Sequence, residues 1–348
     1  MGIIYIEFIG DNVNKFKEML KNIKFKIVNI RFLSTRYKIK LNRNSNYNNA
    51  IIKYSKELVY TKENKNIEML SQQIKEFLLV MERECKNFNP SLFIKNFKKT
   101  LFDISEIDDT KYNFDGWVKY DNSSRKNFFY IDNFKASKHE LFHLATLNEN
   151  NCGFKMDIKA KGLNEGYTQL LAERYFDENV GEVYLVEVIF VKLIEQIIGK
   201  DKMEKYYFDL DLVSLINNLC SYETEENTTN YINDLDKFLS LFHLILVKQP
   251  TSDQIENIQK IVNNICNFLF SCISNKLKIL LSSNLLLEAE KFLTSCVMPA
   301  SITIKTPNST FYRIKMFDEN KKNDIYQFFN AKKVYNGIQS YIARKKRN

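Results

Sequence analysis

Two of the chain's three histidines stand four residues apart around a glutamate, in Lys138-His139-Glu140-Leu141-Phe142-His143-Leu144. On a helix, positions i and i+4 share a face, so both imidazoles can reach one cation while Glu140, about 100° further round the axis, flanks the same place. Two neutral imidazoles on a metal with a carboxylate beside it is an arrangement suited to activating water for hydrolysis. Histidine is so scarce here that chance placement at this spacing is rare.

Two histidines leave a catalytic zinc one protein ligand short, because such sites offer three and keep the fourth position for water. The remaining histidine, His243, lies in the apolar run Phe238-Leu-Ser-Leu-Phe-His-Leu-Ile-Leu-Val247, which reads as core. Glu165, in Gly162-Leu-Asn-Glu-Gly-Tyr-Thr-Gln-Leu-Leu-Ala-Glu-Arg-Tyr175, is the better third candidate, since it starts a helix one loop after the motif.

His-Glu-x-x-His followed about twenty residues later by Asn164-Glu165-Gly166 resembles the gluzincin group of metallopeptidases, over residues 111 to 200. The resemblance implies His139, His143 and Glu165 as ligands of one zinc ion per chain and Glu140 as general base. The fuller run is similar to cytoplasmic members from AT-rich bacteria, and the Asn- and Lys-heavy composition agrees. A zinc ion lowers the pKa of its water from near 15.7 to about 7, and a nearby carboxylate passes the proton to the leaving amine.

Metal-bound histidines commonly give their second ring nitrogen to an acceptor, and Thr168, Gln169 and Glu173 follow Glu165 at helical spacing. Thermolysin-like members carry an aspartate one turn after the third ligand; here that position is Gln169. A developing oxyanion needs a donor besides the metal, and Tyr184, Tyr167, Tyr175 and His243 are candidates, with Tyr184 preferred. The strand 127 to 131 precedes the motif helix, where zincins present an edge strand that an extended peptide joins. Trp117, the single tryptophan, is expected in the core.

The elements that must position these groups are read from periodicity. A strand is expected at 3 to 8, a helix at 12 to 23 and two β-rich runs over 24 to 41. A long amphipathic helix covers 64 to 88, a second runs from Ser91 to Phe102 after Pro90, and a hairpin spans 111 to 131. The motif helix follows at 135 to 148, then an Asn- and Gly-rich loop at 149 to 162 and a helix at 164 to 177. Helices are expected at 182 to 198, 211 to 222, 231 to 247 and, with a break, 252 to 295. A hairpin at 301 to 316 and a helix at 322 to 344 complete the chain.

The 348 residues, 45% of them apolar, can bury a substantial core, which excludes general disorder. The six cysteines form no Cys-x-x-Cys pair and read as buried free thiols. The opening residues lack the basic and cleavage features of a secretory signal, and the apolar stretches are too short or interrupted to span a bilayer, so a cytoplasmic location is expected. The net charge of +9 is spread along the chain with a local excess at 343 to 348.

The reading is an α+β protein. It has a zincin-like metallopeptidase core at 109 to 222, a small N-terminal α/β region with a long helix at 1 to 108, and a mainly helical C-terminal part at 223 to 348. The expected activity is zinc-dependent hydrolysis of a peptide or protein substrate. The rival is a non-catalytic zinc scaffold whose basic tail binds nucleic acid or a protein partner. A third reading is a toxin-like protease with one protein target, against which the missing secretion signal counts.

Overall fold

A computed structural model of the chain describes residues 3–7, 64–103, 116–122, 124–131, 136–178, 184–306, 308–316, 324–325 and 327–332. The helix and β-rich runs expected over 12 to 41, most of the closing helix and the basic tail lie outside these residues. The protein is of mixed α+β class, mostly helical with a few short strands. It groups into two compact units, one of residues 13–188 and 204–212, the other of 1–12, 189–203 and 213–348.

The first unit is built around the motif. Helix α1 (Asn64–Glu84) turns Leu70, Ile74, Phe77, Leu78 and Met81 inward, a three-and-four spacing that gives one apolar stripe. Helix α2 (Pro90–Lys98) starts at Asn89, whose side chain accepts from the Leu92 N–H at 3.1 Å, with the proline where no amide proton is needed. It is shorter than the helix expected to Phe102, because Thr100–Asp103 instead forms strand β1 of the sheet, paired in parallel with a later strand.

That later strand is β3 (Lys126–Ile131), joined by a tight turn to β2 (Gly116–Asp121) as the expected antiparallel hairpin. The order is β1-β3-β2. Strand 126–131 is therefore central and paired on both sides, which corrects its expected place at the edge; β1 and β2 are the two edges, each with no strand on its outer side among the described residues. Trp117 on β2 is 41% exposed and stacks on Tyr130, so it is not the core residue expected. Phe102 and Phe129 meet on the sheet's other face, 5.2 Å between ring centres.

The motif helix, α3 (Ser137–Thr146), is buried on every side. Phe142 anchors it in an aromatic cluster with Phe77, Phe176 and Phe208. Residues 148 to 159 then make three successive two-ended turns, closed by paired backbone bonds at 148/151, 152/155 and 156/159. Helix α4 (Lys161–Phe176) follows and packs on α3. Helix α5 (Leu185–Ile198) begins in this unit, and the end of α6 (Lys200–Phe208), which the polar sequence gave no reason to expect, returns to it with Tyr207 and Phe208 buried.

The second unit contains α7 (Leu212–Leu219), α8 (Glu225–Val247), α9 (Ser252–Ser282) and α10 (Leu286–Ser295). Thr224 caps α8, and Thr251 with Gln254 makes a reciprocal capping box on α9. Strand β4 (Ile3–Glu7) pairs antiparallel with β5 (Ser301–Lys305), and β5 with β6 (Phe311–Lys315). Among the described residues, α9 alone is long and apolar enough to cross a membrane by length and composition. Its stripe Ile258, Val262, Ile265, Leu269 and Cys272 is buried, and α9 packs along α8.

Candidate metal centre

Helix α3 places His139 and His143 on one face, and α4 brings Glu165 opposite them. His139 Nε2 and His143 Nε2 are 3.0 Å apart, and each is 3.2 Å from Glu165 Oε2. Among the described residues these three form the one group of ligand-type side chains able to hold a metal. A tetrahedral zinc with bonds of 2.0–2.1 Å needs donor atoms about 3.3–3.4 Å apart, so the triangle fits that ion with only a slight opening. Two imidazoles and a carboxylate are also a donor set that catalytic zinc accepts.

The hydrogen bonds around His139 decide which of its nitrogens faces the triangle. Gln169 Nε2 donates to the Glu178 carbonyl at 3.0 Å and to Glu173 Oε1 at 3.3 Å, so the amide oxygen must turn the other way. That oxygen lies 3.0 Å from His139 Nδ1, which therefore carries the proton. His139 Nε2 is left with a lone pair aimed at His143 and Glu165, the tautomer a metal requires. Gln169 thus orients the His139 ring, and Glu173 accepts from the Gln169 amide. Thr168 faces elsewhere, bonded to Tyr207 at 2.8 Å.

His143 is held differently. Its Nδ1 has Cys152 Sγ and Asn164 Nδ2 each at 3.4 Å, while the Cys152 thiol donates to the His143 carbonyl at 3.2 Å. Asn164 is oriented by the Phe154 N–H, which donates to its Oδ1 at 3.0 Å. This places Cys152 and Asn164 behind the His143 ring, where no sequence pattern had put them. Gly153 sits between, at φ +55, where a Cβ would run into Asn164 and the Tyr207 ring, so only glycine fits.

Burial alone would lower the His143 pKa, but the Glu165 carboxylate and Cys152 outweigh it and hold the imidazole well above its ordinary value. Burial likewise opposes the Glu165 charge, and the facing histidines overcome it, leaving the carboxyl well below the usual range.

Glu140 is buried on α3 beside His139. Gly116, at the start of the edge strand, lies against it: a Cβ there would be 2.9 Å from Glu140 Cγ and 3.2 Å from the Tyr130 carbonyl. Tyr184 stacks almost parallel on His139, 5.2 Å between ring centres, and its hydroxyl bonds Glu165. Burial, then the carboxylates of Glu165, Glu140 and Glu187, push that phenol well above its ordinary pKa, so it stays a proton donor. Burial and Glu165 push Glu187 up to about 8.

The other oxyanion candidates are not brought here. Tyr167 packs against Phe154 and Tyr207, and Tyr175 donates to Glu204 at 2.7 Å. His243 lies on α8, outside the ligand group. Glu178, which no sequence pattern singled out, accepts from the backbone N–H groups of Lys138 and His139 at 2.9 and 3.0 Å. No protein-family profile, curated protein or solved structure matches this chain.

Proposed function

We propose that the protein is a zinc-dependent metallopeptidase of gluzincin type, with His139, His143 and Glu165 holding one zinc ion. The observation that carries this reading is the triangle of three donor atoms 3.0–3.2 Å apart, one of them on a histidine whose other nitrogen is already committed to Gln169. Zinc bound there would acidify a water and polarise a scissile carbonyl. Glu140 would take the proton from the attacking water and deliver it to the leaving amine. Tyr184, kept protonated by its surroundings, would donate to the oxygen that gains charge in the tetrahedral transition state.

Among the described residues no strand pairs with the outer side of β2, and this edge supports a peptide as the substrate. An extended chain added to Gly116–Asp121 would pass the glycine that touches Glu140, with backbone bonds holding it irrespective of its sequence. Six free cysteines, four of them buried, agree with work in a reducing compartment such as the cytoplasm. The test is Glu140→Ala: the protein should keep its zinc and lose peptide hydrolysis by several orders of magnitude. A zinc-replete Glu140→Ala protein with wild-type activity would contradict the mechanism.

A further inference from the structure

Helix α3 begins at Ala136, which has no side chain able to cap it, although the helix carries both histidines. The first amides of a helix need acceptors, and when buried they cannot take water. Glu178 supplies them from beyond the end of α4. Its Oε1 lies 2.9 Å from the Lys138 nitrogen and 3.0 Å from the His139 nitrogen, and its Oε2 is 2.9 Å from Lys138. The same residue's carbonyl accepts from Gln169, which in turn accepts from the His139 ring. His139, Gln169 and Glu178 thus close a ring of three hydrogen-bonded residues.

We propose that Glu178 is a positioning residue of the metal centre: its side-chain oxygens fix the His139 backbone while its carbonyl fixes the amide that sets the His139 ring. Other contacts secure the same turn without touching the ligand. Lys138 Nζ donates to the Gln73 carbonyl at 2.8 Å and to Glu76 Oε2 at 2.9 Å, and Ser137 Oγ to Gln73 Oε1 at 3.2 Å. They hold the helix end, whereas Glu178 alone among these groups bonds both the ligand's main chain and the residue orienting its ring. A backbone that drifts by a few tenths of an ångström at residue 139 would open the donor triangle, to which a tetrahedral ion is sensitive.

The inference rests on the zinc reading, and its test separates the two. Zinc dissociation constants are measured by chelator competition on the full chain, with helical content followed by circular dichroism. Glu178→Ala should bind zinc ~10–100-fold more weakly than wild type, the usual cost of losing a group behind a ligand. Glu178→Gln, which keeps one acceptor oxygen, should recover most of that loss. Thr224→Ala, which removes the cap of α8 in the other unit, should leave zinc affinity unchanged and so serve as the control for general destabilisation. Wild-type affinity in Glu178→Ala, or an equal loss in Thr224→Ala, overturns the positioning role and leaves the zinc reading intact. A wild-type chain that takes up no zinc removes both.

Discussion

His139 and His143 reach the same point by different routes. Gln169 commits the His139 proton to Nδ1, whereas at His143 burial disfavours, and Glu165 and Cys152 together favour, a protonated ring. A metal must displace that proton, so zinc binding is linked to pH. The raised His143 pKa stabilises the metal-free fold fully below about pH 6.5 and less as pH climbs through the folded value. The lowered Glu165 pKa stabilises it above about pH 4.5 and less as pH falls through the folded value. Zinc affinity should therefore rise by about one log unit per pH unit on the acid side of the folded His143 pKa and level off above it. Chelator competition across pH measures it, and a flat profile would show that His143 is not protonated in the free protein.

Gly116 gives a second expectation at this scale. A Cβ at that position would press on Glu140 Cγ from 2.9 Å without touching a ligand. Gly116→Ala should keep full zinc stoichiometry and lower kcat by roughly 10²-fold, as misplacing a catalytic group by about an ångström does. Unchanged kcat would mean that Glu140 has room to move. The motif and its glutamate were legible because their information is local spacing. Glu165 was legible through the Asn-Glu-Gly pattern, and Gln169 only as one of three helical candidates. Glu178 and Cys152 were not legible, because a residue that bonds backbone from a distant segment leaves no periodic trace.

The motif helix is capped at both ends by other elements. Asn96 on α2 donates from its amide to the carbonyls of Leu144 and Leu147 at 2.9 and 2.7 Å, and its own carbonyl accepts from Asn127 on β3. Asn96→Leu would leave two buried carbonyls without that donor, which costs about 1–3 kcal/mol for each group left unsatisfied. Denaturant unfolding should register a loss of at least that size, and a change below about 0.5 kcal/mol would place Asn96 among ordinary surface positions. Sequence periodicity located α1, α3, α4 and the hairpin to within a few residues. It misjudged Thr100–Asp103 because the pairing with β3 that makes it a strand lies far along the chain. It also misplaced 126–131, since strand order is set by which partners arrive on either side. Sheet position decides which edge a peptide can join, so this correction moves the expected substrate contact from β3 to β2.

At the scale of the molecule, His139, His143 and Glu165, the three proposed ligands, fall within one of the two units, and the groups around them come from residues 116 to 187. A ligand that binds only the folded form stabilises it by RT ln(1 + [L]/Kd), about 4 kcal/mol at a thousandfold excess over Kd. For a unit of this size that is a midpoint shift on the order of 10 °C. Calorimetry with zinc and with chelator should show that shift in the transition of the ligand-holding unit; identical traces would argue that no metal is bound. The pairing of β4 with β5, which joins the first residues to the hairpin near 301 to 316, was not foreseeable from the run of strands and helices. Each strand was recognisable by itself, but two strands almost 300 residues apart carry no mark of their pairing.

The proposed three-ligand zinc centre is tested by metal content, measured by elemental mass spectrometry on tag-free protein purified without chelator, alongside Glu165→Ala. About one zinc per wild-type chain, with a much smaller amount in the variant, is the expected result. Equal zinc in both proteins would move the third ligand away from Glu165, and wild-type protein that stays metal-free after zinc is supplied would contradict the account outright.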